Sequence, residues 1–307
     1  MTTVAQSFLD KHHLPDSYLE TANRWFDPLI EHFANQFNPQ LLPRVIGING
    51  CQGSGKSTLA DYLCCMISDK LNITVIALSL DDFYLTNAER KQLASAVHPL
   101  LATRGVPGTH DIQLTIDCID NLRAGNETLI PRFNKQTDDR IPNKDLQLIR
   151  EPVDLIILEG WCLGAKPNTK LRLAEPVNRL EKQEDRQGIW RNYVNQTLAG
   201  KYQSLFNRVD ELIMLQAPSF EAVYQWRLEQ EHKMIEQAKQ GGLDRPPQAM
   251  NNQQVQRFIQ HFQRITEDVL EQLPSCANHL FKLDRRRFIS SYTQQFTGAG
   301  QLSCNNQ

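Results

Sequence analysis

One short stretch decides most of what this 307-residue chain can become. Gly50-Cys-Gln-Gly-Ser-Gly55-Lys56-Ser57 satisfies the pattern GxxxxGK[ST] in full. Glycines at these spacings let the backbone wrap so that successive N–H groups point inward at a phosphate chain. The helix that follows turns its positive end on the same anion. The pattern puts Gly50, Gln52, Gly53, Ser54, Gly55, Lys56, Ser57 and Thr58 against a nucleoside triphosphate. Lys56 then reaches the β and γ phosphates, and Ser57 offers its hydroxyl to Mg²⁺. The setting is as telling as the pattern. Arg44-Val-Ile-Gly-Ile-Asn49 is a short apolar run suited to a strand buried on both faces, and Ile73-Thr-Val-Ile-Ala-Leu78 is a second. Between them, Ser57 to Lys70 carries Leu59, Leu63, Met66 and Ile67 at helical spacing. Strand, turn, helix and strand by residue 80 imply parallel strands joined by helices.

The rest of the chain continues in that style. Residues 153–158 and 212–215 read as buried strands, 279–283 as a further strand, and 128–132 as a short one. Helices are expected over 112–122, 177–206, 219–240 and 252–273, with a loop at Gly241–Pro247. Residues 286–307 read as a helix followed by a polar tail, and the basic run Arg285–Arg287 as solvated. Before residue 43 the chain reads as helical, with Asp16 and Asp27 as candidate N-caps and Pro28 in a tolerated first turn. The expected architecture is therefore α/β, a three-layer phosphate-loop NTPase fold with a central parallel sheet flanked by helices. A helical N-terminal extension (1–42) precedes one domain (43–307).

Composition removes several functions. A net charge of −2 and a pI near 6.5 argue against a general nucleic-acid binder. No apolar run approaches the roughly 18 residues a membrane helix needs, and no basic region precedes an apolar stretch at the N-terminus. The seven cysteines are scattered without a CxxC pair, the pattern of reduced thiols rather than a disulfide framework. Cys276 and His279 lie three apart, but no second pair accompanies them to make a zinc site. A soluble, cytoplasmic protein is expected, with neither nucleic acid nor membrane as partner. Oligomeric state leaves no mark on the sequence.

In parallel α/β sheets ligands bind at the C-terminal strand ends. Carboxylates stand there twice: Asp81 and Asp82 after the second strand, Glu159 after the third. Phosphoryl transfer to an alcohol needs a carboxylate to orient the hydroxyl and an acidic group near Mg²⁺. Asp81 and Glu159 suit those roles, while Asp82 is equally a turn cap. A GTPase reading fares worse, because Asn134-Lys-Gln-Thr137 and Asn143-Lys-Asp-Leu146 both lack the final Asp of the guanine-reading motif.

These residues resemble a known family. Gly50–Ser57, Asp81-Asp-Phe-Tyr84 and Glu159-Gly160 are similar to the superfamily of uridine kinase, phosphoribulokinase and bacterial pantothenate kinase. Ser79–Thr86, Arg104–Asp111, Pro131–Lys135 with Asp139-Arg140, Leu158–Trp161 and Tyr224–Leu228 resemble the plant-type D-glycerate 3-kinases and related fungal proteins more closely. The resemblance implies ATP and Mg²⁺ as cofactors and Asp81 as the base, with Lys56 and Glu159 completing the catalytic set. It implies a small-molecule acceptor, D-glycerate or a similar hydroxy acid. A nucleoside or pantothenate-like acceptor and a non-catalytic ATP-binding partner protein stay open as alternatives.

Asp82, Tyr84, Gly108, Thr109 and His110 then fall on the acceptor side. Arg104 is suited to a substrate carboxylate, paired through two parallel hydrogen bonds. Asp111 divides evenly between capping the next helix and touching ligand. Arg132, Lys135 and Arg140 form an acceptor-side wall or moving flap by the same resemblance, or else an ordinary solvated loop. Arg227 matches a lid arginine near the ATP phosphates, or pairs on its helix surface. Trp161 lines the acceptor pocket or fills the core.

Overall fold

The computed structural model of the protein describes residues 3–38, 40–240 and 249–295. A six-stranded sheet runs through it in the order Ile289–Gln294, His279–Leu283, Glu211–Gln216, Arg44–Gly50, Leu155–Gly160, Val75–Ser79. All neighbours pair in parallel except the edge strand Ile289–Gln294, which is antiparallel to His279–Leu283. Parallel strands of such a sheet are covered on both faces, which is why Leu155–Gly160 is buried at every position. The register sets Ile48 and Ser79 opposite Glu159, so three C-terminal strand ends lie level beside the glycine loop.

The helix Lys56–Leu71 packs on the strands Arg44–Gly50, Val75–Ser79 and Leu155–Gly160. The N-terminal helices Val4–His12 and Asp27–Gln36 pack on that helix in turn. Phe8, Leu9, Ala22, Phe26, Leu29, Ile30 and Phe33 join the same core as the sheet. Tyr62 is the hinge pin of this packing: its ring meets Phe8 edge-on at 5.3 Å, and its hydroxyl donates to Asp27 Oδ1 at 2.9 Å. Asp27 is thus the first residue of its helix rather than a cap, and Asp16, at its own helix start, makes no capping hydrogen bond.

Three further expectations change. The helix expected over 177–206 is broken into Arg179–Glu184, Ile189–Thr197 and Gln203–Phe206, because Gly188 takes a left-handed φ of 72° and Gly200 departs from helical geometry. The helix expected after 286 is the strand Ile289–Gln294 instead. Ile289, Tyr292 and their neighbours pair with an already formed edge, which overrides local preference. Cys51, Cys64, Cys65, Cys118 and Cys162 are free, but Cys276 is disulfide-bonded. The loop read at Gly241–Pro247 lies outside the described residues. Among the described residues, no helix is long and apolar enough to cross a membrane.

Candidate active site

The glycine loop leaves the strand Arg44–Gly50 and enters the helix Lys56–Leu71 through two left-handed residues, Gly53 (φ 79°) and Gly55 (φ 89°). A Cβ on Gly53 would stand 2.7 Å from Cβ of Trp226, so the start of the helix Phe220–Gln240 presses directly on the loop. A Cβ on Gly55 would meet nothing within 4 Å, so the space over the helix start is open. The Ser54 hydroxyl and Gln52 Oε1 are buried there with no hydrogen-bond partner among the described residues. An open cradle ringed by a helix N-terminus and unpartnered polar atoms fits a phosphate chain.

Glu159 organises the next layer. Its Oε1 accepts hydrogen bonds from the hydroxyls of Ser57 (2.8 Å) and Ser79 (2.7 Å). Its Oε2 is buried, has no hydrogen-bond partner among the described residues, and lies 3.7 Å from Lys56 Nζ. Hydroxyl and carboxylate oxygens at one point, one of them uncommitted, are the hard donors that Mg²⁺ takes. Burial alone would push the Lys56 ammonium down, but the carboxylates of Glu159 and Asp81 outweigh it and hold the group above its ordinary value.

Asp81 sits in a short 3₁₀ turn, Leu80–Phe83, at the end of Val75–Ser79. Both its oxygens are engaged: Tyr84 donates to Oδ1 (2.6 Å) and Lys135 to Oδ2 (2.6 Å). Burial would raise the carboxyl, but Lys135 and Lys56 outweigh burial and hold it well below the usual carboxylate range. The Tyr84 phenol is driven far up by burial and by Asp81. Lys135 projects from a small hairpin, Phe133–Asn134 paired with Asp139–Arg140, which folds over this turn. Arg132 pins the hairpin to Asp82 at 2.7 Å, and Arg140 donates to the Tyr84 carbonyl (2.8 Å) and to Asp111 (3.1 Å). Asp138, at the hairpin tip, pairs with Arg104 and with the buried Arg90. Arg104 also lies over the Phe133 ring at 5.6 Å.

The Arg104–Asp111 loop packs behind. Asp111 caps the helix Ile112–Arg123 by accepting from Leu114 N–H (3.0 Å). Thr109 is wholly buried, and its hydroxyl donates to the Val106 carbonyl and accepts from Gly105 N–H. Gly108 is left-handed at φ 100°. The His110 ring stacks on Tyr84 with centroids 4.6 Å apart. Trp161 is buried, its Nε1–H donating to the Gly105 carbonyl (2.8 Å). Arg227, next to the Trp226 that touches Gly53, pairs with the buried Glu231 at 2.7 Å.

The structure therefore gathers Lys56, Ser57, Asp81 and Glu159 into one site and wraps Tyr84, His110, Arg132, Lys135 and Arg140 around Asp81. Arg104 reaches the group only through Asp138 and Phe133. In sequence Ser79 is only the first residue of the matching stretch Ser79–Thr86, with no role given to it, yet it shares Oε1 of Glu159 with Ser57. Trp226 enters only within the matching stretch Tyr224–Leu228, with no role given to it, and Tyr202, which touches Gly108 and His110, falls in none of the matching stretches.

No protein-family model matches the chain. It is 33% identical over 251 residues to the uncharacterized kinase mug58 of Schizosaccharomyces pombe, covering 77% of this chain and 84% of that one. It is 28% identical over 309 residues to the probable ATP-dependent kinase TDA10 of Saccharomyces cerevisiae, covering 92% and 93%. Among solved structures, D-glycerate 3-kinase from Cryptococcus neoformans superposes with a TM-score of 0.69 and 26% identity, over 87% of this chain and 95% of that one.

Proposed function

The chain belongs to the P-loop kinases related to D-glycerate 3-kinase, and from that membership we propose that it moves the γ-phosphate of ATP to a hydroxyl of D-glycerate or a similar hydroxy acid. That it is an ATP-dependent small-molecule kinase follows from its relatives; the acceptor and the division of labour among residues are our reading. One observation supports the division above others. Lys56 of the glycine loop feels the charges of Glu159 and Asp81 together, so triphosphate anchor, metal carboxylate and hydroxyl-orienting carboxylate share one space.

The backbone N–H groups of Gly53 to Thr58 hold the phosphate chain, and Lys56 shifts from Glu159 toward the β and γ oxygens. Ser57 and Glu159 would hold Mg²⁺, which supplies charge neutralisation at those oxygens when bound. Ser79 keeps Glu159 turned so that Oε2 stays free for this task. Asp81 accepts the hydrogen bond of the acceptor hydroxyl and aims its oxygen along the line of transfer. Lys135 pairs with that carboxylate and would neutralise charge developing on the transferring group. Asp82 and Arg132, with Tyr84, His110 and Arg140, form the acceptor wall. Gly108, Thr109 and Trp161 shape the backbone behind it, Arg104 stays our candidate for a substrate carboxylate, and Arg227 for the lid over ATP.

The test is ADP release by purified protein with ATP, Mg²⁺ and a panel of D-glycerate, glycerol, uridine and pantothenate. D-glycerate is expected to give the highest kcat/KM. Asp81→Asn should cut kcat at least about a hundredfold while leaving the KM for ATP within about twofold. Turnover on another acceptor alone would replace the substrate assignment, and tight ATP binding with no turnover on any would favour a non-catalytic ATP-binding protein.

A further inference from the structure

We infer that Tyr202 is a positioning residue that fixes the ring proton of His110 on Nε2, so that a neutral N–H donor meets an oxygen of the acceptor. This rests on the kinase reading above and specifies what its acceptor wall recognises. The argument is an account of hydrogen-bonding groups. Tyr202 is fully buried, and its hydroxyl meets the Gly108 N–H at 3.3 Å and His110 Nδ1 at 2.6 Å, with the His110 backbone beside it as well. The amide can only donate, so the phenol oxygen accepts from Gly108. Were Nδ1 also a donor, the phenol proton would have no acceptor and the Nε2 lone pair would be bare as well. If instead Tyr202 donates to Nδ1, a single group is left over, the Nε2–H of a neutral ring.

The ring nitrogen left over in that account, His110 Nε2, is buried and has no hydrogen-bond partner among the described residues. Buried donors without acceptors are rare in folded proteins and ask for an explanation. Here the explanation is position. The ring stacks on Tyr84, and the Tyr84 hydroxyl donates to Asp81, so the bare donor belongs to a ring packed on the phenol that holds the carboxylate assigned to the reacting hydroxyl. Burial also holds His110 down at about 4, which keeps the ring neutral at cellular pH. The backbone is built to make the contact. Gly108 is left-handed, and a Cβ there would stand 2.6 Å from Cε1 of Tyr193. The ligand class that completes the site is an oxygen with a free lone pair, a hydroxyl or carboxylate that is not the reacting one.

The experiment combines kinetics with D-glycerate and ATP and ¹⁵N-histidine NMR, on wild type, His110→Asn, His110→Gln and Tyr202→Phe. Asn places its amide near Nδ1 and cannot reach the Nε2 position, whereas Gln can. We expect His110→Asn to raise the KM for D-glycerate about ten- to a hundredfold with the KM for ATP unchanged, and Gln to recover most of the loss. Wild-type spectra should show the neutral, Nε2-protonated tautomer between about pH 6 and 8, perturbed by D-glycerate, and Tyr202→Phe should lose that preference. An Nδ1-protonated ring in wild type would overturn the inference. So would equal losses in Asn and Gln, an unchanged KM in Asn, or a resonance blind to D-glycerate, which would mean an ordered water only. If wild type turns over no acceptor, the kinase reading falls, while the tautomer is still decided by the spectra.

Discussion

Replacing Glu211 by Gln is expected to destabilise the protein by about 3 kcal/mol at neutral pH and by less in acid. Glu211 opens the strand Glu211–Gln216, and its side chain is only 10% exposed. Oε2 accepts from Nε2 of His32 (2.9 Å) and of His279 (3.0 Å), while Oε1 pairs with Arg44. Burial would raise this carboxyl, but the three partners outweigh it and lower it from 4.5 to about 2. At about 1.4 kcal/mol per pH unit, that drop corresponds to about 3 kcal/mol. The sign follows from the lowered folded-state value: the contribution is complete above 4.5 and is lost as pH falls toward 2. Urea unfolding of wild type and E211Q should therefore differ by about 3 kcal/mol at pH 7 and by about 2 kcal/mol at pH 3.5. Equal differences at the two pH values would refute the reasoning, because the lost energy would then owe nothing to the ionised carboxylate. The three ligand atoms of His32, Glu211 and His279 also lie within 4.8 Å of one another, close enough to gather a metal. Arg44 fills that role of counter-charge already, so EDTA should leave the midpoint unchanged.

Three further outcomes are expected. Gly53→Ala puts a Cβ 2.7 Å from Trp226 at a left-handed φ of 79°, and should raise the KM for ATP at least about tenfold and lower stability by about 2 kcal/mol, read by kinetics and thermal melting. Lys135→Met breaks an ion pair whose lysine is 58% exposed, so unfolding should shift by less than about 1 kcal/mol while kcat falls by about tenfold or more. A chain of residues 43–307 loses the buried Phe8, Leu9, Phe26, Leu29, Ile30 and Phe33 from the core, about 9–18 kcal/mol at about 1.5–3 each, which is as large as the whole stability of a typical domain; it should show no near-ultraviolet circular dichroism.

The parts of this fold that were legible in the sequence are those in which one segment carries the whole message. Arg44–Asn49 and Val153–Leu158 are apolar at consecutive positions, and a glycine loop between strand and helix has one common use. Lys56, Ser57, Asp81 and Glu159 could be singled out because each stands at a strand end or in the loop itself. The failures have a common cause in contacts between distant segments. Ile289–Gln294 is a strand because His279–Leu283 offers it an unpaired edge. Tyr202 serves the site from 92 positions beyond His110, inside a stretch whose spacing says only helix. Arg104 reads in sequence as pairing a substrate carboxylate, yet it is engaged by Asp138, 34 positions away at a hairpin tip.

Those long-range pairs also set what a triphosphate would compete with. Asp81 is neutralised by Lys135, and Glu159 is approached by Lys56. A triphosphate brings more negative charge than either carboxylate and competes for both lysines at once. On the proposed reading, ATP therefore draws Lys56 off Glu159, leaving Oε2 for the cation, and Lys135 off Asp81, leaving Oδ2 for the alcohol. Loss of a cation beside it also returns Asp81 toward its ordinary basicity. The carboxylate is thus a poor proton acceptor until the phosphate that needs it has arrived, which ties activation of the hydroxyl to the presence of its reaction partner.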